Sequence, residues 1–137
     1  MSRASCFSVI LLIATGLLSQ DLPMAAQAKF LKSILSAAGQ FGFACSDPVL
    51  KPQLEANGVS VSPGFKMAWG GSEAEARALK AEGKLVIVPR LSWLKTGGSI
   101  AIVEEDGKPA IYLNTVNVKA SGMQLPDVIL KMAKKPK

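Results

Sequence analysis

Histidine is absent from this chain of 137 residues, and cysteine occurs only as Cys6 and Cys45. Without imidazole there is no Ser-His-Asp or Cys-His triad, no imidazole general base and none of the commonest metal ligand. Two cysteines are too few for a thiolate zinc cluster. Arginine is nearly as scarce, with Arg77 and Arg90 the only ones beyond Arg3, and aromatic residues make up 6%. A nucleic-acid footprint draws on arginines and aromatics spread over one face, so the net charge of +6 does not point to nucleic acid. Much of that charge sits in Lys131, Lys134, Lys135 and Lys137. These lysines read as a solvated helix end facing the negative pole of the helix dipole, with a weak attraction to anionic membrane surface.

Long hydrophobic runs are also missing, apart from Phe7 to Ser19. That run is shorter than the ~20 residues a membrane-spanning helix needs. Arg3 before it and Ala26-Gln27-Ala28 after it give the charge, apolar stretch and small-residue site of a secretory signal. The expectation is a signal peptide over residues 1–28, cut after Ala28, and a single exported domain over 29–137. Cys6 would leave with the signal. Cys45 then has no partner for an internal disulfide and, inside an apolar run, reads as a buried, inert thiol.

What is present alternates between helical and strand patterns. Phe30, Leu31, Ile34, Leu35 and Ala38 recur at helical spacing before Gly39. Phe41 to Ser46 is short enough for a buried strand. Asp47-Pro48 reads as an N-cap with proline at the first helical position, although the helix could begin only at Pro52. Val59 to Trp69 fits one or two short strands. Ser72-Glu73-Ala74-Glu75 is a capping box, with Ser72 accepting from the Glu75 amide and Glu75 reaching back to the Ser72 amide. Leu85 to Val88 is a continuous apolar run of the kind found in buried parallel strands. The order strand, helix, strand, helix, strand predicts an α/β layered sandwich with short parallel strands and flanking helices.

The pattern then changes to an antiparallel hairpin. Asp106-Gly107 suits a two-residue turn, which sets Glu105 opposite Lys108, Ile102 opposite Ile111 and Ile100 opposite Leu113. Both faces are largely apolar and should be covered. Gly97-Gly98 would let the chain turn sharply into the hairpin, with a positive φ at Gly98. Leu125, Val128, Ile129, Met132 and Ala133 mark the core stripe of a last helix behind Pro126.

The residues contain no catalytic constellation, and they predict no cofactor and no metal site. Glu104-Glu105-Asp106 reads as a solvated turn. Gly70-Gly71-Ser72 opens a helix, but Glu73 and Glu75 there would repel an anion. The remaining candidate is the edge beyond the carboxyl ends of the strands, where open α/β sheets gather ligands. It offers Asp47, Arg90, Ser92, Trp93 and Lys95 for contact with a partner or ligand, and the plain alternative is a polar loop with Trp93 folded onto the core.

Several features of the second half fall in a recognisable order. They are the strand Leu85 to Val88, Leu94-Lys95-x-Gly97-Gly98, the strand Ile100 to Val103, Glu105-Asp106-Gly107-Lys108, Ile111-Tyr112-Leu113-Asn114, Ala120-x-Gly122 and the closing Leu- and Lys-bearing helix. Over about 50 residues this order and spacing resembles the YfiR-like family of exported bacterial proteins. The resemblance implies a periplasmic α/β domain that is not an enzyme and acts by protein contact. Its best-understood members restrain an inner-membrane diguanylate cyclase through that enzyme's periplasmic part. The chain departs from the family in two respects: Cys45 alone cannot form the disulfides of some relatives, and Asn57 to Gly71 is abbreviated. A small solute-binding protein or enzyme using Asp47, Arg90 and Trp93 is the competing expectation, and a purely structural or assembly protein is a third.

Overall fold

The structure, a computed structural model, describes residues 22–134, so the Phe7 to Ser19 run, Arg3, Cys6, Lys135 and Lys137 lie outside the described residues. Helix α1 (Met24–Ala37) begins ahead of the stripe read from Phe30. Met24, Ala25, Ala26 and Ala28 are strong helix formers and carry it backward. Leu31, Ile34 and Leu35 face the core, and Gly39 at φ 72° ends the helix. The expected cut after Ala28 falls inside α1, between the fully buried Ala28 and the exposed Lys29.

Strand β1 (Gly42–Phe43) leads to α2 (Leu50–Ala56). Asp47 Oδ1 accepts from the amides of Val49 at 2.8 Å and Leu50 at 3.0 Å. The helix therefore starts before Pro52, which occupies the first turn, where an amide would have no helical acceptor. The segment from Val59 to Trp69 holds two strands, β2 (Ser60–Val61) and β3 (Met67–Trp69). Helix α3 (Glu73–Ala81) follows its Ser72 cap, then β4 (Leu85–Val88) and a 3₁₀ turn, Leu91–Lys95. The hairpin is β5 (Ile100–Glu105) and β6 (Lys108–Leu113), and the chain closes with α4 (Thr115–Ala120), α5 (Asp127–Met132) and β7 (Ala133–Lys134).

β1 and β2 pair in parallel, and β3-β4-β5-β6-β7 form the larger sheet. A parallel bridge between Ala44 and Ala68 joins the two, so the strands lie side by side in the order 2-1-3-4-5-6-7. The first five run parallel, β6 is antiparallel to β5, and β7 runs with β6. The molecule is thus a mixed α/β sandwich with parallel strands, an antiparallel hairpin and flanking helices. The larger core holds Leu31, Leu35, Phe43, Leu50, Leu54, Ile87, Ile102, Val118 and Ile129, which places α1, α2, α4 and α5 over one face. Ala76, Val86, Val88, Leu94 and Ala101 form the smaller core under α3 and the 3₁₀ turn.

The hairpin has the register its sequence implies, with Glu105 opposite Lys108, Ile102 opposite Ile111 and Ile100 opposite Leu113. Asp106 at φ 52° and Gly107 at φ 76° make the turn, and both need the left-handed region that Asp and Gly tolerate. Glu105 does more than sit in a solvated turn: it accepts from the Tyr112 hydroxyl and pairs with Lys134 Nζ at 2.9 Å.

The last helix differs from expectation. It stops at Met132, and Ala133 and Lys134 form an edge strand beside Ile111 and Tyr112. Leu125 and Ile129 are buried, but Val128 is 51% exposed and Met132 52%. A six-residue helix turns too few residues inward to bury the whole stripe. Lys134 accordingly is not a helix-end charge.

The glycine pair also acts differently. Neither Gly97 nor Gly98 has a positive φ. Both are needed because neighbours approach too closely for a side chain: a Cβ at Gly97 would lie 2.6 Å from the Ala76 carbonyl carbon and oxygen. One at Gly98 would lie 2.7 Å from a Val88 methyl and 3.2 Å from the Trp93 carbonyl oxygen. Relieving the Gly97 contact means moving helix backbone, so Gly97→Ala should lower stability by about 1–3 kcal/mol. Calorimetric melting checks this, and an unchanged Tm would show that α3 shifts freely.

The Tyr112 hydroxyl, and after it Lys134, hold the Glu105 carboxyl below its ordinary 4.5. A depressed folded-state value means that the contact stabilises above about pH 4.5, and the effect is lost as pH falls through the lower folded value. Glu105→Gln should therefore flatten the acid side of the stability profile in urea titrations. Parallel acid slopes in variant and wild type would show that the carboxylate contributes nothing.

Candidate functional site

The expected edge residues fall into two groups with β3 between them in sheet order. Asp47 follows β1 and caps α2. Arg90, Ser92, Trp93 and Lys95 follow β4. The Arg90 guanidinium lies over the Trp93 ring, 5.4 Å from its centroid. Trp93 is half-buried on the smaller core, while Ser92 and Lys95 are exposed on the 3₁₀ turn. That turn is tied down from below: Asn114 Nδ2 donates to the Leu94 carbonyl at 2.7 Å, and Asn117 Nδ2 donates to the Gly98 carbonyl at 2.9 Å. Asn114 also caps α4 by accepting from the Asn117 amide.

A hollow of about 400 Å³ opens next to the Asp47 group, at the junction of β1 and β3. In the strand order 2-1-3-4-5 this junction is the topological switch point, where doubly wound sheets bind ligands. Ala44, Cys45, Ser46 and Trp69 line it from the strand ends, Lys51 from α2, and Glu75 and Leu79 from α3. Glu82, Lys84 and Pro63 complete it.

Glu75 organises the upper end. Its amide donates to Ser72 Oγ at 3.1 Å, as a capping box requires. The return bond goes to the amide of Gly71, one residue earlier than expected, at 2.9 Å, and Ser46 Oγ donates to the other carboxylate oxygen at 2.5 Å. One side chain thus joins the end of β1 to the start of α3. Lys84 Nζ donates to the carbonyls of Pro63 and Phe65, both at 2.8 Å.

Trp69 is 2% exposed, and its indole Nε1 has no hydrogen-bond partner among the described residues. A buried donor left unpaired costs about 1–3 kcal/mol, so this one requires an explanation. None of the expected residues Asp47, Arg90, Ser92, Trp93 and Lys95 lines this hollow, and sequence reasoning missed Ser46, Lys51, Trp69, Glu75 and Lys84 as members of one site. The capping box pointed to Glu75 only as a helix start, and nothing along the chain signals that β1 lies against β3.

A second surface lies on the opposite side of the hairpin. Val116, Val128, Leu130 and Met132 are 73%, 51%, 46% and 52% exposed. Beside them a groove of about 460 Å³ is floored by Leu113, Val118, Met123 and Leu125, with Lys119 and Asp127 among its polar lining. Among the described residues no helix is long and apolar enough to cross a membrane, and no group of three or more His, Cys, Asp or Glu could hold a metal ion.

Fold and hollow together define a doubly wound α/β domain with an open switch point. No family model and no curated protein matches the chain. Among solved structures it is similar to a conserved domain protein from Vibrio cholerae, with a TM-score of 0.61 and 12% identity, over 85% of this chain and 61% of that one. It is also similar to a Streptococcus pneumonia protein described as an ABC domain in complex with L-Trp, with a TM-score of 0.55 and 12% identity, over 82% of this chain and 61% of that one. These likenesses concern the α/β fold, and the chain spans about three fifths of the length of either protein.

Cys45 lies in the hollow with its thiol pushed up to about 11, chiefly by burial and further by the Asp47 and Glu75 carboxylates. The reactive thiolate is correspondingly rare. At pH 8 alkylation by iodoacetamide should run about a hundredfold slower than for an unperturbed thiol. Labelling at the ordinary rate would show that the thiol is exposed in solution.

Proposed function

We propose that the protein is an exported regulatory domain without enzymatic activity of its own, acting by protein–protein contact. In this reading it restrains the periplasmic part of an inner-membrane diguanylate cyclase or of another membrane sensor. The observation that carries the reading is the apolar-floored groove bordered by α4 and α5, with exposed apolar side chains on both helices. Four large apolar side chains stand about half exposed or more on twelve helical residues, beside a groove with an apolar floor. Leu130 stands in the groove itself, and an apolar groove rimmed by polar residues such as Lys119 and Asp127 is the kind of surface that marks a macromolecular contact.

This surface belongs to the same stretch that resembles the YfiR-like family. The resemblance and the exposed face therefore concern the same residues. Rigid support is present as well: Val118, Leu125 and Ile129 anchor the two helices in the larger core, and Asn114 and Asn117 fix the start of α4. A face held this way can dock without first ordering itself.

Co-purification with a diguanylate cyclase from detergent-solubilised membranes tests the proposal. The wild-type chain should retain the cyclase, and Val116→Glu with Leu130→Glu should lose it by at least about tenfold, since a charge in an apolar contact is left without a partner. Both positions are exposed, so melting should barely change. Recovery of no membrane sensor by the wild type, or equal recovery by the double variant, would overturn the reading.

A further inference from the structure

The switch-point hollow carries a set of polar groups that contact through α4 and α5 leaves unused. Lys51 and Lys84 bring two positive charges to it, and Glu75 and Glu82 bring two negative ones, so the lining is formally neutral but contains both signs. Lys84 is occupied by the Pro63 and Phe65 carbonyls, and Glu75 by Gly71 and Ser46. The side chains of Lys51 and Glu82 make no hydrogen bond or ion pair among the described residues. One cation and one carboxylate therefore remain to meet a solute.

The unpartnered Trp69 N–H supplies a third group, a donor that needs an acceptor. It lies under Gly71, where a Cβ would be 3.5 Å from Nε1 and 3.3 Å from Glu75 Oε1. Nε1 itself is covered, and Gly71 adds no side chain to that cover at the end where Glu75 joins β1 to α3. A small anion would face Glu75 and Glu82 uncompensated, and a small cation would face Lys51 and Lys84. A net-neutral molecule carrying both charges satisfies all the free groups together.

We propose that this hollow binds an amino-acid-sized zwitterion. Its carboxylate faces the Lys51 ammonium and accepts from Trp69 Nε1 once the neighbouring Gly71 backbone shifts aside, and its ammonium faces the Glu82 carboxylate. The volume of about 400 Å³ lies within the range of small-molecule sites. Binding here is independent of the contact surface on α4 and α5.

The chain has two tryptophans, so Trp93→Phe leaves Trp69 as the reporter of its own surroundings. The twenty standard L-amino acids at millimolar concentration, with butyrate and butylamine as single-charge probes, are titrated against this variant by fluorescence and by melting. At least one amino acid should change the Trp69 emission and raise Tm, while butyrate and butylamine do neither. Lys51→Met changes an exposed residue and keeps the fold, and it should weaken binding about tenfold, the scale of one lost charge-assisted hydrogen bond. Trp69→Phe, read by melting, should do the same. The proposal is overturned if no amino acid produces a response, if the single-charge probes bind as well, or if both variants bind as tightly as the parent.

Discussion

Much of this architecture depends on the passage from β4 to β5. Parallel strands ordinarily need a crossover of a dozen residues or more, with a helix to span the return. Here residues 89–99 suffice, because the end of β4 pairs with the start of β5, Ile87 with Ile100 and Val88 with Ala101. The stagger removes most of the return path. What remains is a 3₁₀ turn and two glycines pressed against the Ala76 backbone and the Val88 side chain. Ser99 completes the junction: its amide donates to the Val86 carbonyl at 2.7 Å, and its hydroxyl accepts from the Val86 amide at 3.1 Å. Buried backbone groups at a strand start would otherwise lack partners.

That junction couples the two cores. Gly97 lets α3 sit low on the sheet, and α3 in turn presents Glu75 to Ser46 and Gly71 at the switch point. On the other face, Asn114 and Asn117 reach up to the Leu94 and Gly98 carbonyls from the start of α4. The hollow and the α4–α5 face are thus held by the same short segment from opposite sides. Neither Asn is interchangeable with an apolar residue, because each satisfies carbonyls that the tight turn leaves out of any ladder.

Much of this could be read along the chain. Alternation and the Asp106-Gly107 turn fixed the hairpin register residue by residue, since a two-residue loop leaves one pairing. The Ser72 box placed the start of α3, and Asp47 placed α2. What could not be read is information that adjacent residues do not carry. The glycine pair looks like a turn in one dimension, and only packing reveals the Ala76 backbone above it. Val128 and Met132 fit a helical stripe, but β7 takes Ala133 away from that helix and leaves them outside. Trp69 reads as one member of an alternating strand, and its unpaired N–H depends on where Gly71 and Glu75 come to lie. The edge residues Arg90, Ser92, Trp93 and Lys95 lie beyond the carboxyl end of β4, one strand away from the hollow that collects Cys45, Ser46 and Glu75.

Among the described residues the sheet ends at either margin with a strand of two residues, Ser60–Val61 on one side and Ala133–Lys134 on the other, the latter bearing an ion-paired lysine. Margins so short and partly charged give a foreign strand almost no ladder to extend. Recruitment of another polypeptide by strand addition is therefore disfavoured, and so is the fibre-like stacking that exposed edges invite. At these two margins a macromolecule meets side chains to grip more than backbone.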